Sequence, residues 1–223
     1  MRILVVAATA MEVAPLLAGI DAAASRQSRV TSVARGSRDI DILTTGVGMV
    51  AASAWTSKAL GERRYDVALN VGVCGSFDPA FGPTSVLNVV VDRMSELGAE
   101  DGDSFLPLDA LLDDGLAGPR AGCVQARLFD NAALGALPSV NGITVNTVHG
   151  SERSIADVVS RFSPQVESME GAGFMFACAV HDLRFAQVRS VSNMVERRNR
   201  SAWKLREAID ALTPVVMNIL DTM

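Results

Sequence analysis

Short, unbroken apolar runs recur along the chain between segments of helical period. Arg2–Ala8 (after its first residue) and Val67–Val71 are apolar at nearly every position. That is the pattern of strands covered on both faces. Val30–Ala34 and Ile40–Thr45 form a strand pair around the polar turn Arg35–Asp39, and Val86–Val91, Gly122–Leu128, Gly142–Asn146 and Phe185–Val191 read as further strands. Helical spacing predicts a short helix or turn over Met11–Leu17 and helices over Met49–Leu60, Glu152–Arg161 and Ser201–Asp221. Ser201 would cap the last of these, and Pro214 would kink it. Ser95–Pro119, rich in Asp, Gly and Pro, reads as loop with a brief helix at Leu108–Leu112.

One stretch departs from amphipathic patterning. From Ser168 to Val180 every residue is apolar, small or hydroxyl-bearing except Glu170. A helix apolar all round is a buried helix, and an ionised group inside it needs partners. Glu170 would sit in the first turn, where the helix dipole favours negative charge. It is either a structural carboxylate held by that dipole or part of a site.

The alternation of strands and helices predicts an α/β fold: a single domain over residues 1–223 with a mixed, largely parallel central sheet and helices on both faces. Ligands in such folds gather at the carboxyl ends of the strands. The loops Thr9–Glu12, Gly72–Phe77, Thr147–Ser151 and Ser192–Arg200 fit that position.

Composition narrows the function classes. The 223 residues are 49% apolar and 20% charged, an ordinary globular balance with room for a full core. A net charge of −5 without a basic run argues against a nucleic-acid partner. Cys74, Cys123 and Cys178 are odd in number and lack CxxC spacing; with only His149 and His181 beside them, neither a disulfide framework nor a metal site is expected. This suits the cytoplasm. The N-terminal apolar run is short and broken by Glu12, so it reads as a strand rather than a leader or membrane span. No cofactor is implied.

Several residues could carry chemistry. Gly46-Val47-Gly48 and Gly72…Gly75 resemble phosphate-cradling turns, but neither completes a dinucleotide or P-loop motif, and tight strand-to-helix turns explain them equally. Cys74 could be a nucleophile activated by His149; a buried, inert cysteine is the commoner case, and nothing nearby in sequence orients the histidine. Glu12 follows the first strand. It is either a solvated helix-start residue or a carboxylate that orients and deprotonates water. Asn193 is either a turn residue or an amide offering donor and acceptor to a purine edge.

Taken together, Ala8–Leu17 (ATAMEVAPLL), Thr44–Ala52 (TTGVGMVAA), Asn70–Pro79 (NVGVCGSFDP) and Val166–Gly173 (VESMEGAG) resemble the purine nucleoside phosphorylase / methylthioadenosine nucleosidase superfamily. Leu87–Asp101, Val145–Glu152 (VNTVHGSE) and Arg189–Lys204 (RSVSNMVERRNRSAWK) resemble its futalosine-cleaving branch, which acts in menaquinone biosynthesis. The likeness covers nearly the whole chain and implies a nucleoside phosphorylase-like fold. By this resemblance Glu12 activates the attacking water, Met169 packs beneath the ribose, Glu170 bonds its hydroxyls, and Asn193 contacts the purine. Gly72, Gly75, Phe77, Thr147 and Val148 would line the nucleoside site, with Phe77 in place of the stacking Phe that nucleosidases carry near Thr147. The partner implied is a small nucleoside, in a homo-oligomer with a dimer favoured.

Adenine-specific nucleosidases have Asp where this chain has Asn193. Asn can donate to the O6 of a 6-oxopurine, which favours hypoxanthine, but it cannot serve as a titratable acid. Ala7–Glu12 offers a carboxylate and no cation, so water rather than phosphate is the expected nucleophile. Among Arg197–Arg200, Arg198 and Arg200 could pair with the aryl carboxylate of futalosine, or could belong to a solvated loop. The expected reaction is hydrolysis of the futalosine N-glycosidic bond. The alternatives are a nucleosidase for aminofutalosine, methylthioadenosine or S-adenosylhomocysteine, and a purine-nucleoside-binding protein without turnover.

Overall fold

The computed structural model describes residues 1–21, 29–111 and 122–223. In chain order the elements are β1 (Arg2–Ala7), α1 (Ala10–Ile20), β2 (Val30–Arg35), β3 (Arg38–Thr44), α2 (Met49–Glu62), β4 (Val67–Ser76), β5 (Val86–Met94), β6 (Gly98–Asp101), β7 (Ser104–Pro107), α3 (Leu108–Leu111), β8 (Cys123–Gln125), α4 (Ala132–Gly135), β9 (Ser139–Thr144), α5 (Glu152–Phe162), β10 (Val166–Ser168), α6 (Gly171–Val180), β11 (Arg184–Met194) and α7 (Leu205–Asp221). Leu112, and the rest of the expected loop to Pro119, lie outside the described residues.

The main sheet runs β10-β9-β5-β11-β4-β1-β3-β2, with β8 on β5. β1 is parallel to β3 and β4, and β11 is parallel to β4, while β5 lies antiparallel to β11. The sheet is therefore mixed. β10 also pairs back onto the end of β4, which closes β4, β11, β5, β9 and β10 into a ring.

β1 explains the layering. Successive side chains of a strand point to opposite faces. Ile3, Val5 and Ala7 pack with Val13 and Leu16 of α1 and Leu212 and Val216 of α7. Leu4 and Val6 pack on the other face with Ala59 of α2 and Phe174, Met175 and Cys178 of α6. An apolar run without alternation is what two covered faces demand. Among the described residues no helix is long and apolar enough to cross a membrane.

Four expectations are corrected here. The segment Gly72–Phe77 is not a loop, because β4 continues to Ser76, where its edge is held by β10 and β11. Asn193 likewise lies inside β11, which runs on to Met194. Ser201 does not cap the last helix: Arg200–Ala202 form a separate 3-10 turn, and α7 begins at Leu205 after Lys204. Part of the expected Ser95–Pro119 loop is a β6–β7 hairpin.

Candidate active site

A cavity of about 240 Å³ opens at the carboxyl ends of β1, β4, β10 and β11. Glu12, Glu170 and Asn193 all line it, together with Met169, Gly75, Val148 and His149. Residues from distant parts of the chain meet because the four strands end side by side.

Glu12 occupies the third position of α1. One carboxylate oxygen accepts the backbone N–H and the hydroxyl of Thr9, both at 2.9 Å, so the helix start fixes the side chain. The other accepts the N–H of Val73 at 3.2 Å. A solvated helix-start residue would be exposed; Glu12 is 7% exposed.

Glu170 is the residue immediately before α6 rather than part of its first turn. Its Oε1 accepts the N–H of Gly48 at 3.1 Å, and its Oε2 lies 3.7 Å from Arg189 Nη1. The Gly46-Val47-Gly48 turn thus points a donor at a carboxylate instead of a phosphate. Burial pushes the Glu170 carboxyl above its ordinary range, with Arg189 and the Gly48 N–H opposing that shift and the Glu12 charge adding to it.

Arg189, buried at 1% exposure, is the cation behind both acids. Its Nη2 donates to Asn70 Oδ1 at 2.5 Å and to Gln187 Oε1 at 3.2 Å. Gln187 in turn donates to Asp92 Oδ2 at 2.8 Å, and Asp92 Oδ1 accepts the Thr144 hydroxyl at 2.9 Å. Gly72 does not line the cavity. Its missing side chain leaves room behind the cavity for Glu12 and Arg189, since a Cβ there would lie 2.6 Å from both Glu12 Oε1 and Arg189 Nη1.

Asn193 follows a register shift in β11: Val191 pairs with Cys74 and Asn193 with Gly75, leaving Ser192 as the extra residue. Such a bulge re-aims the next side chain. The Ser192 hydroxyl lies 2.8 Å from Asn193 Oδ1, and Asn193 Nδ2 donates to Met194 O at 2.9 Å.

His149 and Glu167 are paired on the same wall. The backbone N–H of His149 donates to Glu167 Oε1 at 3.1 Å, and Nδ1 lies 2.6 Å from Oε2. Glu167, not Cys74, is therefore the histidine's partner, and the histidine is oriented after all. Cys74 lines the cavity, but burial pushes its thiol up to about 12, which leaves it inert near neutral pH. His181 is satisfied by the Ser57 hydroxyl at 2.9 Å.

The remaining expected site residues stand outside the lining. Phe77 packs with Val148 and Met169 on the cluster of Ile143, Val145 and Val158, its ring 6.1 Å from the His149 ring. Thr147 is exposed, and its N–H donates to Glu96 at 3.4 Å. Arg198 lies over the ring of Trp203, 5.7 Å from its centroid, and Trp203 lines the cavity. Arg200 is exposed at the start of the 3-10 turn. Sequence reasoning missed Arg189, Asp92, Glu167 and Trp203. Arg189 and Asp92 did carry a signal, as charged residues within or at the end of largely apolar strand runs.

The family model of the phosphorylase superfamily matches residues 2–221. A futalosine hydrolase of Streptomyces coelicolor is 35% identical over 183 residues, covering 79% of this chain and 76% of the relative. One of Acidothermus cellulolyticus is 33% identical over 217 residues, covering 94% and 86%. Among solved structures, the native futalosine hydrolase of Helicobacter pylori superposes with a TM-score of 0.84 at 15% identity, over 100% of this chain and 98% of that one. A point mutant of the methylthioadenosine nucleosidase of the same organism, with 5′-methylthioadenosine in its active site, also gives 0.84 at 15%, over 100% and 99%. At such identity the structural likeness speaks for the fold.

Proposed function

The chain belongs to the phosphorylase superfamily, and from that premise we propose that it hydrolyses the N-glycosidic bond of futalosine. The products are hypoxanthine and dehypoxanthine futalosine, in a step of menaquinone biosynthesis. The observation that carries this reading is the convergence of Glu12, Glu170 and Asn193 on one cavity.

In this mechanism Glu12 takes a proton from the attacking water. Its bonds to Thr9 and Val73 hold it ready, which removes the cost of assembling the reactants. Glu170 grips the ribose hydroxyls above Met169. Positive charge grows at the anomeric carbon as the bond breaks, and the two carboxylates stabilise that charge more than they stabilise the substrate. Asn193 donates to O6 of the departing base, where an ionised Asp would face a carbonyl oxygen.

Water rather than phosphate is the nucleophile. Arg189 is a cation close to Glu12, yet it is engaged by Asn70, Gln187 and Glu170. Two carboxylates against one guanidinium leave net negative charge facing any phosphate dianion, a repulsion of several kcal/mol on the order of a pair of close like charges. The aryl carboxylate of futalosine pairs with Arg198, whose guanidinium lies over the ring of Trp203, a residue of the cavity wall. Arg198→Ala should raise KM for futalosine and leave KM for inosine unchanged; an equal change in both removes that role.

The protein works in the cytoplasm as a homodimer. Met11 and Val47, which line the cavity, are 54% and 58% exposed, and Val50 beside them is 78% exposed, an apolar edge suited to a second copy. Light scattering in solution tests the dimer. Incubation with futalosine, inosine and methylthioadenosine, with and without phosphate, tests the reaction by the free base released. Phosphate-independent release of hypoxanthine is expected. Phosphate-dependent release, or a preference for methylthioadenosine, would overturn it.

A further inference from the structure

Cleavage as proposed leaves one proton without a donor. The bond between C1′ and N9 breaks with its electron pair on the base, water forms the new C1′–O bond, and the water proton goes to Glu12. The base anion must then gain a proton, and the amide of Asn193 has none to give at neutral pH. We propose, resting on that reaction, that His149 is the general acid that protonates the departing 6-oxopurine, with Glu167 as its positioning residue.

The geometry carries this. In the sheet, Glu167 of β10 and Asn193 of β11 both pair with Gly75 of β4, from opposite sides. A Cβ placed at Gly75 would stand 3.4 Å from Asn193 Nδ2 and 3.5 Å from Glu167 Cγ, so both side chains converge on one spot. The purine that Asn193 contacts therefore lies beside the Glu167–His149 pair. Glu167 is 4% exposed and takes both the backbone N–H and Nδ1 of His149. With Nδ1 committed to a buried carboxylate, Nε2 is the nitrogen left to exchange a proton with a ligand. Imidazole is the side chain suited to proton transfer near neutral pH.

His149 also lines a second, polar groove, with Glu96, Arg153, Asp157 and Arg161 on its walls. A ring set between the two spaces can give its proton to the base on one side and regain one from solvent on the other. Glu12 sheds the proton it took from water, and the enzyme returns to its starting state.

The test compares leaving groups. Futalosine and inosine lose a purine that needs a proton, whereas p-nitrophenyl β-D-ribofuranoside loses a phenolate that leaves without one. His149→Gln should lower kcat/KM for futalosine and inosine about 10²- to 10⁴-fold, while the nitrophenyl riboside changes less than about tenfold, within the reach of altered binding alone. Glu167→Gln should show the same selectivity with a smaller loss, and it decides the matter if His149→Gln does not fold. Glu12→Gln, which removes water activation, should lower all three substrates together. Equal losses for purine and nitrophenyl substrates in both His149 and Glu167 variants, or no loss in either, would overturn the assignment. If wild-type protein releases no base from futalosine, the proposed function fails; the leaving-group comparison on inosine still judges His149.

Discussion

Gly72 is the residue whose missing side chain leaves room for Glu12 and Arg189 to approach one spot. Because a Cβ there would sit 2.6 Å from both Glu12 Oε1 and Arg189 Nη1, Gly72→Ala must push one or both away. Both are tightly held, so the cost is overpacking of about 1–3 kcal/mol. The displacement of Glu12 should lower kcat about a hundredfold, as misplacement of a catalytic group by ~1 Å does; urea denaturation and steady-state kinetics read the two effects separately. At Asn193 the expected change is in preference. Asn193→Asp exchanges the donor for O6 for an acceptor, so kcat/KM for futalosine should fall at least about tenfold, the worth of one lost hydrogen bond to the base. The ratio of methylthioadenosine to futalosine turnover should rise. A single assay with both substrates checks it, and an unchanged ratio would remove Asn193 from base selection. Both residues were visible in the sequence, but Gly72 was visible only as a member of a glycine motif. The reason for it, two side chains arriving from α1 and β11, is a tertiary fact that no local pattern encodes.

Among the elements, legibility follows burial. β1 and the front half of β4 were readable because both faces are covered and nearly every position is apolar. The apolar pattern fails where strands end at the cavity: Gly72–Ser76, Ser192–Met194 and Val166–Ser168 mix glycine, hydroxyl, amide and acid into the run, so the pattern stops before the strand does. Such failures of local pattern are expected where function is built in. α6 was legible as a buried helix, yet its contact with α2 was not. A Cβ at Gly173 would lie 2.3 Å from Met49 O, the backbone of α2. Gly173→Ala therefore has no side chain to displace and must separate the two helices. It should cost about 3 kcal/mol, the upper range of overpacking, and should also loosen the Gly48 N–H bond to Glu170. A drop in Tm together with a raised KM for nucleosides is the expected pair of results. A drop in Tm with KM unchanged would mean that Glu170 keeps its place without that close contact.

Across the whole molecule, the site is built on a polar seam through the centre of the sheet. Asp92 on β5, Gln187 and Arg189 on β11 and Asn70 on β4 are linked in series, and Asn70 Nδ2 donates to Val6 O on β1 at 2.9 Å. A seam of this kind fixes register and holds Arg189 behind the two acids, but it takes charge out of water. Asp92 bears the cost most plainly: burial raises its carboxyl from the ordinary 3.8 to about 6, against the opposing pull of Gln187, Thr144 and Arg189. A carboxyl whose folded pKa is raised holds its proton in the folded state through a range where the unfolded chain has lost it. Its contribution to stability is therefore complete below pH 3.8 and is lost as pH rises towards about 6. The shift of ~2 units corresponds to about 3 kcal/mol. Asp92→Asn lacks this dependence, and its amide loses the acceptor that Gln187 or Thr144 needs, so the variant should be less stable than wild type at pH 4. The gap between them should narrow by up to about 3 kcal/mol by pH 7, because only wild type then bears an ionised buried acid. Urea denaturation of both proteins at the two pH values measures the gap directly. A gap that is flat or widens with pH would show Asp92 already ionised at pH 4, in which case Arg189 and the seam hold its charge over the whole range and burial does not raise its carboxyl.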